Sequence, residues 1–148
     1  MSLIYLLEPS SIFFIASIFI LGLLVGSFLN VVIHRLPLMM QREWAQQCHE
    51  LIGTTEPGTD ELTLSKPRSR CPHCSHAITA LENIPVISYL ALKGRCKECK
   101  APISKRYPLI ELFTAVISAV VAWHFGFGIA VVGGLLLSWA LLALTFIP

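Results

Sequence analysis

All eleven Lys and Arg residues of this 148-residue chain fall between Arg35 and Arg106; the flanks are apolar and hold one acid each, Glu8 and Glu111. Flanks so poor in polar groups cannot face water as an ordinary soluble fold does. The 55% hydrophobic content and mean hydropathy of +0.70 say the same. The first apolar run, from about Ile12 to Ile33, carries no charge and is long enough to cross a bilayer as a helix. It does not read as a cleaved leader, since no basic residue precedes it and no small-residue cleavage site interrupts it. A second run follows Arg106-Tyr107-Pro108 and continues to about Trp123. Phe125 and Phe127, with Gly126 and Gly128, then mark an interfacial turn before a third run from Ile129 to Ile147. The expected fold is an all-α membrane protein with three transmembrane helices.

The basic island also holds seven of the nine acids, which leaves it at +4 (eleven minus seven) with His neutral. Lys and Arg near helix ends are retained on the cytoplasmic side, so the island reads as a cytoplasmic loop and the N-terminus as outside. Its mixed signs argue against nucleic acid as a partner and leave the lipid bilayer as the expected one. Within it, Cys71, Cys74, Cys96 and Cys99 form a C-x₂-C…C-x₂-C pattern with twenty-one residues between the pairs. Two short knuckles can each aim two thiolates at one ion, so the spacing suits a tetrahedral zinc site. Cytoplasmic thiols stay reduced, which disfavours disulfides; an iron–sulfur cluster and a redox sensor are the lesser alternatives. His49, His73 and His76 are not needed as ligands, Cys48 lies outside the pattern, and Arg70, Arg95, Lys97 and Lys100 would offset thiolate charge.

The expected plan is therefore residues 1–34 as N-terminal segment and first transmembrane helix, 35–106 as a small cytoplasmic zinc-stapled domain, and 107–148 as the second and third helices. Residues from about Gln41 to Lys66 are polar, with a turn-rich stretch from Gly53 to Asp60. The segment from Ala80 to Leu92 reads either as a short helix on the bilayer or as the core of the zinc module. In the first helix, Gly22 and Gly26 are spaced for close helix packing. Asn30 is a membrane amide that needs a partner, for backbone or for substrate. Glu111, about one turn inside the second helix, is either paired with Lys105 or Arg106 or functional; His124 reads as interfacial. No nucleophile–base constellation, phosphate loop or pair of membrane carboxylates is visible.

The stretch from Gly26-Ser27-Phe28-Leu29-Asn30 to His34-Arg35-Leu36-Pro37 resembles the opening motif of the bacterial prepilin peptidases, the type 4 prepilin leader peptidase/N-methyltransferases. The resemblance continues through Cys71-Pro72-His73-Cys74, Asn83-Ile84-Pro85-Val86-Ile87-Ser88-Tyr89-Leu90, Gly94-Arg95-Cys96-Lys97-Glu98-Cys99 and Lys105-Arg106-Tyr107-Pro108-Leu109-Ile110-Glu111. It implies a multi-pass enzyme of the bacterial inner membrane acting on type IV prepilins and type II secretion pseudopilins. The leader is cut on the cytoplasmic side and the new N-terminus is methylated with S-adenosylmethionine. Gly26, Asn30, Arg35 and Glu111 lie on these motifs and become expected substrate or structural contacts. In that family two aspartates in later helices perform cleavage. Here Leu141 to Ile147 resembles the approach to the first of them, but Pro148 stands at the expected position. The chain thus reads as truncated and unable to cleave by itself, its missing C-terminal part being a possible partner. The competing expectation is a non-enzymatic zinc-bearing membrane adaptor of a pilus or type II secretion assembly.

Overall fold

A computed structural model of the chain describes residues 12–53, 63–66, 69–71, 73–79 and 81–147. Pro148 and most of the stretch expected to be turn-rich, residues 54–60, lie outside the described residues. The described chain is helical: α1 (Ile12–Ile52), a 3₁₀ turn (Leu81–Asn83), α2 (Ile87–Ala91), α3 (Arg106–Phe125) and α4 (Ile129–Phe146). Two isolated bridges, Arg70 to Ala77 and Arg95 to Pro102, are the only strand-like pairings among the described residues. Three helices, α1, α3 and α4, are long and apolar enough to cross a membrane.

The first helix corrects one expectation. It does not end with the apolar run near Ile33 but continues for 41 residues in all, through Pro37, to Ile52. At 1.5 Å per residue that is about 60 Å, roughly twice the hydrocarbon thickness of a bilayer. The physical reason is local. Pro37 removes one intrahelical donor, and the following Leu, Met, Gln, Arg, Glu and Ala residues favour helix strongly enough to continue it. Gly53, with φ of 74°, then supplies the left-handed position that ends a helix cheaply. A second such glycine, Gly126 (φ 64°), ends α3 and donates its N–H to the Ala122 carbonyl at 2.9 Å. This makes the turn into α4.

Helix α1 packs chiefly on α3, and the contact is backbone to backbone. A Cβ at Gly22 would stand 2.7 Å from Cα of Ala115, and one at Gly26 would stand 2.7 Å from Cα of Glu111. The expected close packing at the glycine pair is thus present. The facing residues of α3 are small: Thr114, Ala115, Ser118 and Ala122 are fully buried. Thr114 and Ser118 turn their hydroxyls back onto the carbonyls of Ile110 and Thr114, both at 2.7 Å, so the seam holds no stranded donor. Trp139 of α4 donates its indole N–H to Ser118 Oγ at 3.0 Å.

Two apolar clusters stack along this seam. Phe14, Ala122, Val131 and Leu135 form one near the α3–α4 turn, and Leu29, Ile33, Ile110 and Leu142 form the other at the opposite end. Elsewhere the helices turn large apolar side chains outward, among them Phe13, Leu24, Phe28, Phe113 and Leu137. Such surfaces suit lipid and not water.

Replacing Gly26 with Leu should destabilise the helix pair by about 1–3 kcal/mol through overpacking. Gly133→Leu, where an added Cβ meets nothing within 4 Å, should be close to neutral. Thermal unfolding of the two variants in the same detergent checks the contrast.

Candidate metal centre and interfacial cavity

The two cysteine knuckles have the same backbone construction. In the first, Cys71 accepts the N–H of Ser75 and donates its own to His76, both at 2.9 Å. In the second, Cys96 accepts from Lys100 at 3.1 Å and donates to Ala101 at 2.9 Å. Ser75 (φ 57°) and Lys100 (φ 58°) each take the left-handed conformation just after the second cysteine of their pair. That turn closes the loop tightly enough to point both sulfurs inward.

Together the knuckles bring Cys71, Cys74, Cys96 and Cys99 to one point, with all four Sγ atoms within 4.8 Å of one another. Cys71 Sγ lies 3.7 Å from Cys99 Sγ, and Cys74 Sγ lies 3.9 Å from Cys96 Sγ. A zinc ion with Zn–S bonds of about 2.3 Å gives a tetrahedron with edges of about 3.8 Å. The donor set therefore fits zinc in number, chemistry and spacing. Hydrogen bonds from the backbone of Cys74 and His73 pull the Cys71 thiol down to about 6. At Cys99 the Ala101 N–H acts in the same direction, but burial and the three neighbouring thiols outweigh it and raise that group to about 11. Four thiolates cannot share this space without a cation between them.

Packing points the same way. Between residues 63 and 105, the buried apolar side chains among the described residues include Cys71 and Cys96 but no large aliphatic or aromatic one. A module with so small a core cannot be held by burial and needs a cross-link. Glu82 adds a polar tie between the knuckles. Its Oε2 accepts the Thr79 N–H at 3.0 Å and meets His76 Nε2 at 3.2 Å, while its buried Oε1 has Lys97 Nζ 3.5 Å away. The Thr79 N–H foremost, then His76, hold this carboxyl down at about 2 against the opposing effect of burial.

The module sits over the end of the α1–α3 seam, and between them lies a cavity of about 600 Å³. Three of the four non-cysteine residues singled out from sequence line it. Asn30 donates its side-chain amide to the Tyr107 carbonyl at 3.1 Å, fixing the start of α3. Arg35 donates to the carbonyls of Thr63 at 2.9 Å and Leu64 at 3.3 Å. Glu111 is buried, and its Oε2 accepts the Val86 N–H at 2.7 Å. Gly26, the fourth, lets α1 approach Cα of Glu111. Of the two readings of Glu111, the pairing with Lys105 or Arg106 is not found among the described residues. Arg106 instead donates to the Phe146 carbonyl at the end of α4, at 2.6 Å. His76 pairs with Glu82 and His124 stacks edge-on against Phe125, so neither joins the sulfurs.

Sequence reasoning missed Glu82 and Val86. Val86 takes φ of 58°, an outlier for a β-branched residue, at the N-cap of α2. No periodicity signals such a position, and only its partner Glu111 stands out in the chain. The segment read as either a surface helix or a module core is the 3₁₀ turn and α2, which together roof the cavity.

Residues 20–125 match the family model of the bacterial peptidase A24 N-terminal domain. The chain is 55% identical over 142 residues to a prepilin leader peptidase/N-methyltransferase of Stutzerimonas stutzeri, a match covering 95% of this chain and 49% of the relative. It is 51% identical over 148 residues to one from Pseudomonas aeruginosa, covering 99% and 51%. A third, from Neisseria gonorrhoeae, is 49% identical over 130 residues, covering 86% and 46%. The chain thus spans about half the length of the curated relatives it matches. No solved structure matches it.

Two outcomes are expected at the metal centre. The purified chain should hold one zinc ion, and Cys96→Ser should weaken zinc by more than the ~10–100-fold typical of losing an outer-shell partner. Cys48→Ser should leave it unchanged, with metal analysis after dialysis as the check. The second concerns Glu82, whose folded value lies below its ordinary 4.5 at about 2. Its contribution is present above 4.5 and lost as pH falls toward 2. At neutral pH, where this carboxylate is charged and the thiolates can hold the ion, Glu82→Gln should therefore lower the urea midpoint of the zinc-loaded chain.

Proposed function

The chain belongs to the family of the bacterial peptidase A24 N-terminal domain, and from that premise we propose that it forms the N-terminal part of a prepilin leader peptidase/N-methyltransferase. Its substrates would be type IV prepilins and the related pseudopilins, met at the cytoplasmic face of the bacterial inner membrane. The confinement of all eleven basic residues between Arg35 and Arg106 supports an outside N-terminus and a cytoplasmic zinc module. The observation that carries the reading is one of convergence: Asn30 and Arg35 of α1 and Glu111 of α3 line one cavity with residues of the cysteine module, and Gly26 lets the two helices meet there.

Cys71, Cys74, Cys96 and Cys99 would hold zinc with no coordination position left over, so the ion's role is to fix the module and not to activate water. The fixed module in turn holds the roof, residues 81–92, over the cavity. S-adenosylmethionine, bound, would supply the methyl group. A cavity of about 600 Å³ lies within the range that takes small-molecule ligands. Replacing Cys71 and Cys96 in a stably folded enzyme should therefore impair leader processing, methylation or both.

Cleavage is a separate matter. Acid–base hydrolysis by carboxylates needs two of them sharing a proton and a water. The three apolar spans carry a single carboxylate, Glu111. The purified chain alone is expected to leave a prepilin leader uncut while binding S-adenosylmethionine, as read by mass spectrometry of the prepilin and by calorimetry. Leader removal would overturn the first expectation. Failure to bind the methyl donor, with a pilus or secretion component co-purifying, would overturn the second and favour an adaptor.

A further inference from the structure

Glu111 is the feature of the cavity that structural duty explains least. Its carboxylate is buried at the boundary between the apolar seam and the polar module, where a bare negative charge is costly. No ion pair among the described residues includes it, and its partners, the Val86 N–H and the Ser27 side chain, are neutral. If latching the roof were its only task, a neutral acceptor would serve with less desolvation. The fold nevertheless goes to some length to place it. Gly26 admits α1 to within contact of its Cα, and Asn30 pins the Tyr107 carbonyl one turn earlier. Opposite, Val86 is held in a strained left-handed conformation with its N–H on Glu111. Strain of this kind tends to gather at binding sites.

We propose that Glu111 is the ammonium-binding residue of this cavity, receiving a primary amine carried on a peptide whose neighbouring residues are apolar. The ligand must be cationic, because an unpaired buried carboxylate gains most from a charge-assisted hydrogen bond. It must also be flanked by apolar groups, because Val31, Ile84 and Ile103 share the walls with Glu111. A primary ammonium can donate to the second oxygen while Val86 keeps the first. The identity of the peptide rests on the prepilin reading, but the chemistry of the pocket does not. Two sources offer the same group: the N-terminus of a processed chain, or a lysine of a basic leader.

The test uses the zinc-loaded chain in detergent and a dye-labelled synthetic peptide with one lysine, a free N-terminus and an apolar run. Three forms are compared by fluorescence anisotropy: unmodified, N-acetylated, and acetylated on the lysine. Unmodified peptide should bind at least tenfold more tightly than one of the two capped forms, and the form that loses affinity identifies the source. Glu111→Gln, which keeps an oxygen for the Val86 N–H, should erase that discrimination while retaining zinc and helicity. Equal binding of all three forms to the unmodified chain, or no binding at all, overturns the proposal without recourse to any variant. So does discrimination that survives in Glu111→Gln. A prepilin-derived peptide bound equally by both proteins would leave the prepilin reading standing and sink this one. Discrimination of amines without any prepilin binding would do the reverse.

Discussion

The contact on which the rest depends is the approach of α1 to α3 at Gly22 and Gly26. In a bilayer the solvent is as apolar as the side chains, so association of helices relies on close van der Waals fit. The absence of two side chains brings Cα atoms of Ala115 and Glu111 within reach of α1. Only at that separation can Asn30 reach the Tyr107 carbonyl and Leu29 and Ile33 enclose Ile110. A seam built of small residues is also stiff, which suits a site where the Glu111 carboxylate must keep a fixed position. Helix α4 joins later and more lightly, through Trp139 on Ser118 and the Arg106 tie to Phe146.

The polar half solves a different problem by a different means. It has cysteines where a soluble domain of its size would place leucines, and between residues 63 and 105 its regular structure, among the described residues, is limited to short turns, isolated bridges and the five residues of α2. Close van der Waals packing therefore holds the membrane part, and a metal ion held by the four sulfurs would hold the module. Glu82 links the two knuckles through Thr79, His76 and Lys97 and also lines the cavity, so the state of the metal centre bears directly on the shape of the roof.

How far this was legible in the sequence follows from which interactions are local. Each span is a run of apolar residues, and each knuckle is a spacing of two, so the three helices and the sulfur cluster can be read off directly. The glycine spacing likewise announces a close contact, though not its partner. The extension of α1 to Ile52 was obscured because Arg35 and Pro37 look like the end of a span, yet a single proline costs one hydrogen bond in a segment of strong helix formers. Glu111 shows the opposite limit. Its charge suggested a neighbour at Lys105 or Arg106, one turn away, but its partner is a backbone N–H twenty-five residues earlier. Backbone donors carry no signature in a sequence, and a φ of 58° at a valine runs against its propensity.

That mismatch at Val86 bears on what the cavity is for. A sequence in which local preference and tertiary placement agree folds without strain, and departures concentrate where function demands them. The departures here are a buried carboxylate without a cation, a left-handed valine facing it, and a glycine whose absent side chain admits the backbone of that carboxylate's own residue. The first two line one cavity, at the level where apolar seam gives way to polar module, and the glycine lies in the seam behind Glu111. Neither half of the chain could build that place alone: the seam supplies the charge, and the turn between the cysteine knuckles supplies the strained donor. An amine arriving there would find its desolvation offset by a carboxylate already desolvated in the fold, which is the ordinary physical meaning of preorganisation.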